Sequence, residues 1–453
     1  LDSQENYLLE KAVLEANEKK PGERNEFDKE ILTVDERFNL VFNVLSGNYL
    51  KIFPKKGDPT RTWYNPNHDF NDFEEEDARF VKGIIPIYFM SIQEAKLSGD
   101  WTQAEDRLAY IKKYQDVLAS DIIPSKERIE AELWYNELNL NFWLFQAYFS
   151  LGFILLLLAL VRIFYRNKLI RNTINLFVII TLITFLLQSF NLVLRWYIAG
   201  HPPWSNGYEM VVFVSWGLML FGLLFFRKSD FSLPLSSIFA GTLLFVSYLD
   251  WLSPEITNLM PVLKSYWLKI HVATIISSYA PLALSALLGV MAQLMIIFKS
   301  EKNERLLNTK IKELSYINEM SMTLGLFILS IGTFLGGIWA NESWGRYWAW
   351  DPKETWALIS IIIYAIVLHM RLIPRLNNDL AINVASTFAF FSIIMTSFGV
   401  NYYLTGLHSY ATGDPVPIPN FVYIVSGFLL LIALFSSYKN FKGSKVARQL
   451  RQH

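Results

Sequence analysis

An all-α polytopic membrane protein of about nine transmembrane helices, preceded by a mainly α polar domain, is the fold class this sequence predicts, on three observations. Apolar runs long enough to cross a bilayer recur from Asn141 onward, since about 20 residues rising 1.5 Å each span a hydrocarbon core of roughly 30 Å. Hydrophobic residues make up 52% of the chain and aromatic ones 15%, the balance of a membrane protein. The charge is unevenly divided: positions 1–140 carry 28 acidic and 18 basic side chains, and positions 141–453 carry 13 and 23. The zero net charge therefore conceals a polar part of −10 and a membrane part of +10.

Residues 1–140 form the polar domain, in which charged, helix-forming stretches alternate with loops rich in Asn, Pro and Gly. Helices are expected over Glu5–Lys19, Ile84–Leu97, Thr102–Leu118 and Ser125–Leu138, and an irregular loop over Lys55–Asp72. Glu74, Glu75, Glu76 and Asp77 read as a solvated face. The chain starts at Leu1 with no signal-like segment, which suggests a piece of something longer.

Residues 141–453 form the membrane domain. Its nine runs lie near 142–164, 173–194, 209–226, 232–251, 270–298, 316–339, 353–370, 381–402 and 420–438. Basic residues in the connections set the expected orientation. One set of ends holds 18 of them, from Arg162 to Arg451, and the other only 5, namely Arg195, Lys264, Lys269, Arg346 and Lys353. The first set is expected to be cytoplasmic, which puts the polar domain outside and the C-terminal tail inside. The basic residues sit at membrane ends, so a nucleic-acid partner is not expected. There is no cysteine, hence no disulfide or thiolate within the chain.

Four of the 14 tryptophans fall within W-G-R-Y-W-A-W-D-P-K-E-T-W, residues 344–356. Asp351, Pro352 and Glu354 supply an N-cap, a proline for the first turn and the third-position carboxylate of a capping box, so a helix is expected from Pro352 onward. Trp344 and Trp348 would share a face if that segment is also helical. Interfacial belts collect Trp and Tyr for amphipathic reasons alone, but the density here, with Asp351, Glu354 and Gly345 embedded, argues for a dedicated aromatic shelf.

Histidines on this topology fall at two depths. His271 opens the fifth run and His408 follows the eighth, both at the end where the tryptophan segment lies. Two neutral imidazoles flanking an aromatic platform are what a bis-histidine haem site requires. His369 lies 17 residues after Pro352, about 26 Å along the helix, near the opposite face. It is either a functional intramembrane group or a backbone-bonded histidine beside Arg371. His201, followed by two prolines, reads as shaping its loop.

The pattern W-G-x-x-W-x-W-D-x-x-E-x-W resembles the WWD signature of the haem-handling proteins of cytochrome c biogenesis. From about Phe142 onward, including G-H-x-P-x-S-N-x-Y-E at 200–209, the chain resembles the CcsA/ResC subunit of System II, or the C-terminal part of a CcsBA-type fusion. That resemblance implies a multi-pass protein of the bacterial cytoplasmic membrane with the WWD segment outside. It implies haem b as ligand and substrate, held by His271 and His408 over Trp344, Trp348, Trp350, Asp351 and Trp356. Arg346 or Lys353 would be placed to pair with propionates, and His369 would belong to a second, inner site. The other inner-site histidine comes in the family from a CcsB/ResB-like part, and residues 1–140 lack a span to carry it.

The implied function is transport of haem across the membrane and its attachment, on the outer side, to the C-x-x-C-H segment of an apocytochrome c, with the CcsB/ResB-like part, thiol-reducing factors and membrane lipid as partners. Two alternatives stand beside it: a haem exporter or chaperone that passes haem to a separate ligase, and an unrelated multi-span transporter with an ordinary aromatic belt.

Overall fold

The computed structural model describes residues 7–19, 24–249, 251–257, 265–404, 406 and 418–450, with side chains up to 442. The chain divides into two compact units, Leu1–Lys126 and Glu127–His453.

In the first unit, helices α1 (Glu10–Glu18) and α2 (Glu26–Leu45) are followed by a two-stranded antiparallel ribbon, β1 (Phe53–Pro54) and β2 (Trp63–Tyr64). Helices α3 (Glu75–Ser98) and α4 (Thr102–Leu118) complete the unit. Asn25 caps α2 and Asp28 answers from the third helical position, a reciprocal pair that fixes where the helix starts. The acidic run after Glu74 becomes the first turn of α3, where carboxylates complement the positive end of the helix dipole. A small core of Phe53, Phe70, Phe73, Val81, Ile84 and Ile111 joins ribbon to helices.

Helix α5 (Lys126–Leu138) belongs to the second unit from its second residue onward. The reason is local: Trp134 packs edge-on against Phe190 and the Arg128 guanidinium lies over the Tyr197 ring, tying α5 to the seventh helix. There follow α6 (Leu140–Phe164), α7 (Lys168–Ala199), α8 (Gly207–Phe225), α9 (Ser232–Tyr248), α10 (Tyr266–Ile297), α11 (Glu304–Trp344) and α12 (Pro352–His369). The last elements are α13 (Asp379–Ile394), α14 (Val400–Tyr403) and α15 (Asn420–Leu450).

Among the described residues eight helical stretches are long and apolar enough to cross a membrane, so the chain is an integral membrane protein. The fourth expected run yields α9, a helix of only 17 residues, because the chain turns extended at Leu249. That helix packs along α6 and α8. Helix α10 is the central one: 78% of its apolar window is buried, against 17% for α15 at the periphery. It packs most closely with α11, and also with α8 and α13. Asn318 and Asn383 bond amide to amide at 2.9 Å, and Gln293 reaches Thr387 at 2.9 Å. These contacts link α10, α11 and α13 by interhelical hydrogen bonds, as apolar surroundings favour. The eighth expected span is Asp379–Tyr403, interrupted by a π-helical turn at Met395–Gly399 between α13 and α14.

Candidate functional site

The site begins with two glycines on α11. Gly332 and Gly336 lie one turn apart, and a Cβ on Gly336 would stand 2.6 Å from Cε1 of His271, while one on Gly332 would stand 2.8 Å from Ile275 Cδ1. Their missing side chains let α10 settle against α11 with the imidazole in the groove. Nδ1 of His271 then lies 2.7 Å from the Gly332 carbonyl oxygen. An acceptor that close requires Nδ1 to carry the proton, which in the neutral ring makes Nε2 the nitrogen with the lone pair. The ring stacks on Trp339 with centroids 6.4 Å apart and planes 9° apart. Trp339 in turn meets Trp344 edge-on at 4.8 Å.

Helix α11 ends at Trp344 because Gly345 takes the left-handed conformation, φ 71°. The expected shared helical face of Trp344 and Trp348 is therefore not formed. Trp348 instead packs edge-on against Trp350 at 5.9 Å. Trp350 itself has φ 59° and is 71% exposed. A bulky residue rarely adopts that backbone, so the segment spends strain to present this indole outward. Arg346 and Tyr347 are exposed beside it.

The capping box expected at α12 is present in full. Asp351 accepts from Lys353 N at 3.0 Å, and the Glu354 carboxylate accepts from Ala349 N at 2.8 Å and Asp351 N at 3.3 Å. Glu354 thus also holds the loop that carries Trp348 and Trp350. Lys353 donates to Asn401 Oδ1 at 2.7 Å, which joins α12 to α14. The Trp356 carbonyl accepts from Ser360 at 2.8 Å and from Thr396, in the π-helical turn, at 3.2 Å. Gly406 closes on the same corner: a Cβ there would clash with Asp351 Oδ2 and stand 2.8 Å from Pro352 Cδ. His408, two residues further along the chain, lies outside the described residues.

His369 ends α12, at the opposite end of that helix from the tryptophan segment; it is exposed, and its Nδ1 lies 2.7 Å from the Ala365 carbonyl one turn back. His201 is buried with its two ring nitrogens each 3.2 Å from a backbone carbonyl, of Pro202 and Thr257, which is the loop-shaping arrangement. The rest of that loop is built on a buried ion pair. Arg195 Nε donates to Glu209 Oε1 at 2.8 Å, and the other Glu209 oxygen accepts from Ser205 N and Oγ at 2.7 Å each. Trp204 Nε1 reaches the Lys269 carbonyl at 3.2 Å, two residues before His271.

Sequence reasoning missed Trp339, Gly332 and Gly336. The signal was there: Gly332-Thr-Phe-Leu-Gly336 is a small-xxx-small pattern, the mark of close helix approach in membranes.

Fold and site together define an integral membrane protein that gathers imidazole and indole rings at one end of a helical bundle. Residues 204–408 match the family described as Cytochrome C assembly protein. The chain is 36% identical over 259 residues to the cytochrome c biogenesis protein CcsA of Prochlorococcus marinus (strain MIT 9301), a match covering 51% of this chain and 83% of CcsA. It is 42% identical over 416 residues to the protein NrfI of Wolinella succinogenes, covering 92% of this chain and 46% of NrfI. The chain thus spans about half the length of NrfI. On this similarity the chain belongs to the CcsA-type family of cytochrome c biogenesis proteins.

Proposed function

We propose that the chain binds haem b as substrate through His271 and His408 and presents it for covalent attachment to an apocytochrome c. The observation that carries this reading is the hydrogen bond from His271 Nδ1 to the Gly332 carbonyl. Iron-binding histidines commonly commit their second nitrogen to a carbonyl in this way, which fixes the tautomer and orients the ring. The lone pair left on His271 Nε2 fits a haem iron, and the outward indole of Trp350 with Trp348 beside it suits the apolar macrocycle. Exposed Arg346 is available to a propionate, whereas Lys353 is already engaged by Asn401.

Bound haem would supply two vinyl groups, across which the two thiols of a C-x-x-C-H segment add, each sulfur bonding to carbon and its hydrogen going to the neighbouring vinyl carbon. The chain's own residues hold and orient: His271 and His408 the iron, the tryptophan segment one face. Without cysteine, the chain leaves thiol chemistry to the substrate and to reducing partners. His369, with Nδ1 on Ala365, is suited to an inner site completed by a CcsB/ResB-like part. The excess of basic residues at the other end supports placing the tryptophan segment on the outer side of a bacterial cytoplasmic membrane.

The test is the visible spectrum of the detergent-purified chain, oxidised and reduced, for wild type, His271→Ala and His408→Ala. A low-spin b-type spectrum altered or lost in each variant supports the outer site. An unchanged spectrum in either variant removes that histidine from the site. Coexpression with a c-type apocytochrome then separates ligation from export, since only ligation gives covalent haem.

A further inference from the structure

A cleft of about 530 Å³ lies at the end of the membrane bundle opposite the tryptophan segment. It is lined by the end of α6, the start of α7, the turn between α8 and α9, and α11. Two carboxylates line it, and both are already matched. Arg162 donates to Asp230 at 2.8 Å, and Lys310 to Glu313 at 2.8 Å. Five further cations line the same cleft: Arg166, Lys168, Arg171, Arg227 and Lys228. All five are exposed, and among the described residues none pairs with a carboxylate. Lys168 and Arg171 stand in the first turn of α7, where the helix dipole is itself positive. Like charges gathered against a like dipole call for an anion.

The surroundings specify which anion. Helix α7 has 32 residues, about 48 Å of helix for a roughly 30 Å hydrocarbon core, so its first turns project into the headgroup region. Directly beside the cations, Phe164 is 54% exposed, Tyr165 69% and Leu169 74%. Exposed aromatic and aliphatic groups, next to cations that pair with no carboxylate among the described residues, match an amphiphile better than a free ion. We propose that this cleft binds the phosphodiester headgroup of an anionic phospholipid, whose acyl chains run down the apolar face of α7. Basic pockets between membrane helices recognise such headgroups by the same combination.

The full chain, purified in detergent, would be titrated separately with phosphatidylglycerol, phosphatidylcholine and inorganic phosphate, and binding read by native mass spectrometry and by thermal shift. The expected result is retention of phosphatidylglycerol but not phosphatidylcholine. In Lys168→Gln/Arg171→Gln that affinity should fall roughly tenfold or more, as the loss of two interfacial cations implies. Lys299→Gln/Lys302→Gln, which alters the same end outside the cleft, should leave it unchanged. Equal loss in both double variants would reduce the effect to overall charge and overturn the site. Inorganic phosphate binding as tightly as the lipid would overturn the lipid assignment. Thermal stabilisation of wild type by phosphatidylglycerol, absent from the folded cleft variant, excludes misfolding as the cause of lost binding.

Discussion

The His271 imidazole and the Trp339 indole lie parallel, 6.4 Å apart with planes 9° off, while a carbonyl one helical turn away from the glycine beside the ring holds Nδ1 at 2.7 Å. One face and one edge of the imidazole are thereby fixed by α11, and the orientation of Nε2 follows from backbone and ring contacts together. A ring held in this way would not have to be ordered on binding a metal, which is how supporting contacts would raise its affinity as the proposed haem ligand.

Gly336→Ala tests that support without touching the histidine. Its methyl would meet His271 Cε1 at 2.6 Å, so the ring must leave its position. Haem affinity is expected to fall about tenfold, the order found when a metal ligand loses its outer contact, while the protein level in membranes stays near wild type. Gly427→Ala is the control, since nothing lies within 4 Å of a Cβ there. Haem absorbance per protein checks both; an unaltered Gly336→Ala would show the ring position to be unimportant.

The fold class was legible because apolar length and charge distribution are carried locally by sequence, and the capping box at Asp351 and Glu354 because its spacing is a mechanism. The end of α11 was less so. Trp344 and Trp348 have helical spacing, yet Gly345 at φ 71° breaks the helix between them. Trp339 escaped notice because its role is made by α10, far away in sequence, and a buried tryptophan in an apolar run looks like core. Helix α2 was missed although its signals are present, the cap spacing of Asn25 and Asp28 and an apolar stripe of Phe27, Ile31, Val34, Phe38, Val41 and Leu45 at helical spacing. The shortness of α9 lies in where the backbone turns extended after Tyr248, which hydropathy alone does not register.

Trp350→Gly separates ring from backbone. At φ 59° an L-residue with a large side chain bears strain of about 1–2 kcal/mol, which glycine relieves. The variant is expected to hold its thermal midpoint or raise it, while retaining less haem through detergent purification. Falling stability with normal haem retention would make the indole a packing element instead.

Glu209→Gln and Arg195→Met each leave a charge buried without its partner. Both residues are at most 2% exposed, and Arg195 also donates to the Pro254 carbonyl at 3.0 Å and the Glu255 carbonyl at 3.3 Å. Breaking a buried pair costs about 3–5 kcal/mol, so both variants are expected to accumulate poorly and to melt earlier. Arg195→Met should be the worse, since it also releases those two carbonyls. Melting curves in detergent rank them; equal midpoints would mean the carbonyl bonds add nothing.

The first unit should loosen in acid at a defined place. Lys19 donates to Asp28 at 2.7 Å, and with the backbone N–H of Asn25 it holds the Asp28 carboxyl below the usual carboxylate range. A carboxyl whose folded pKa is depressed contributes stability that is complete above its unfolded value, near 4, and is lost as pH falls through the folded value. The junction of α1 and α2 is therefore expected to be unaffected by titration from pH 7 to about 5 and to open below about 4. Asp28→Asn removes the charge at every pH, so its amide exchange around residues 25–28 should be faster than wild type at neutral pH and no longer change on acidification. Wild-type exchange that opens no more than the variant's below pH 4, after correction for intrinsic rates, would show that the Asp28 charge does not hold the junction.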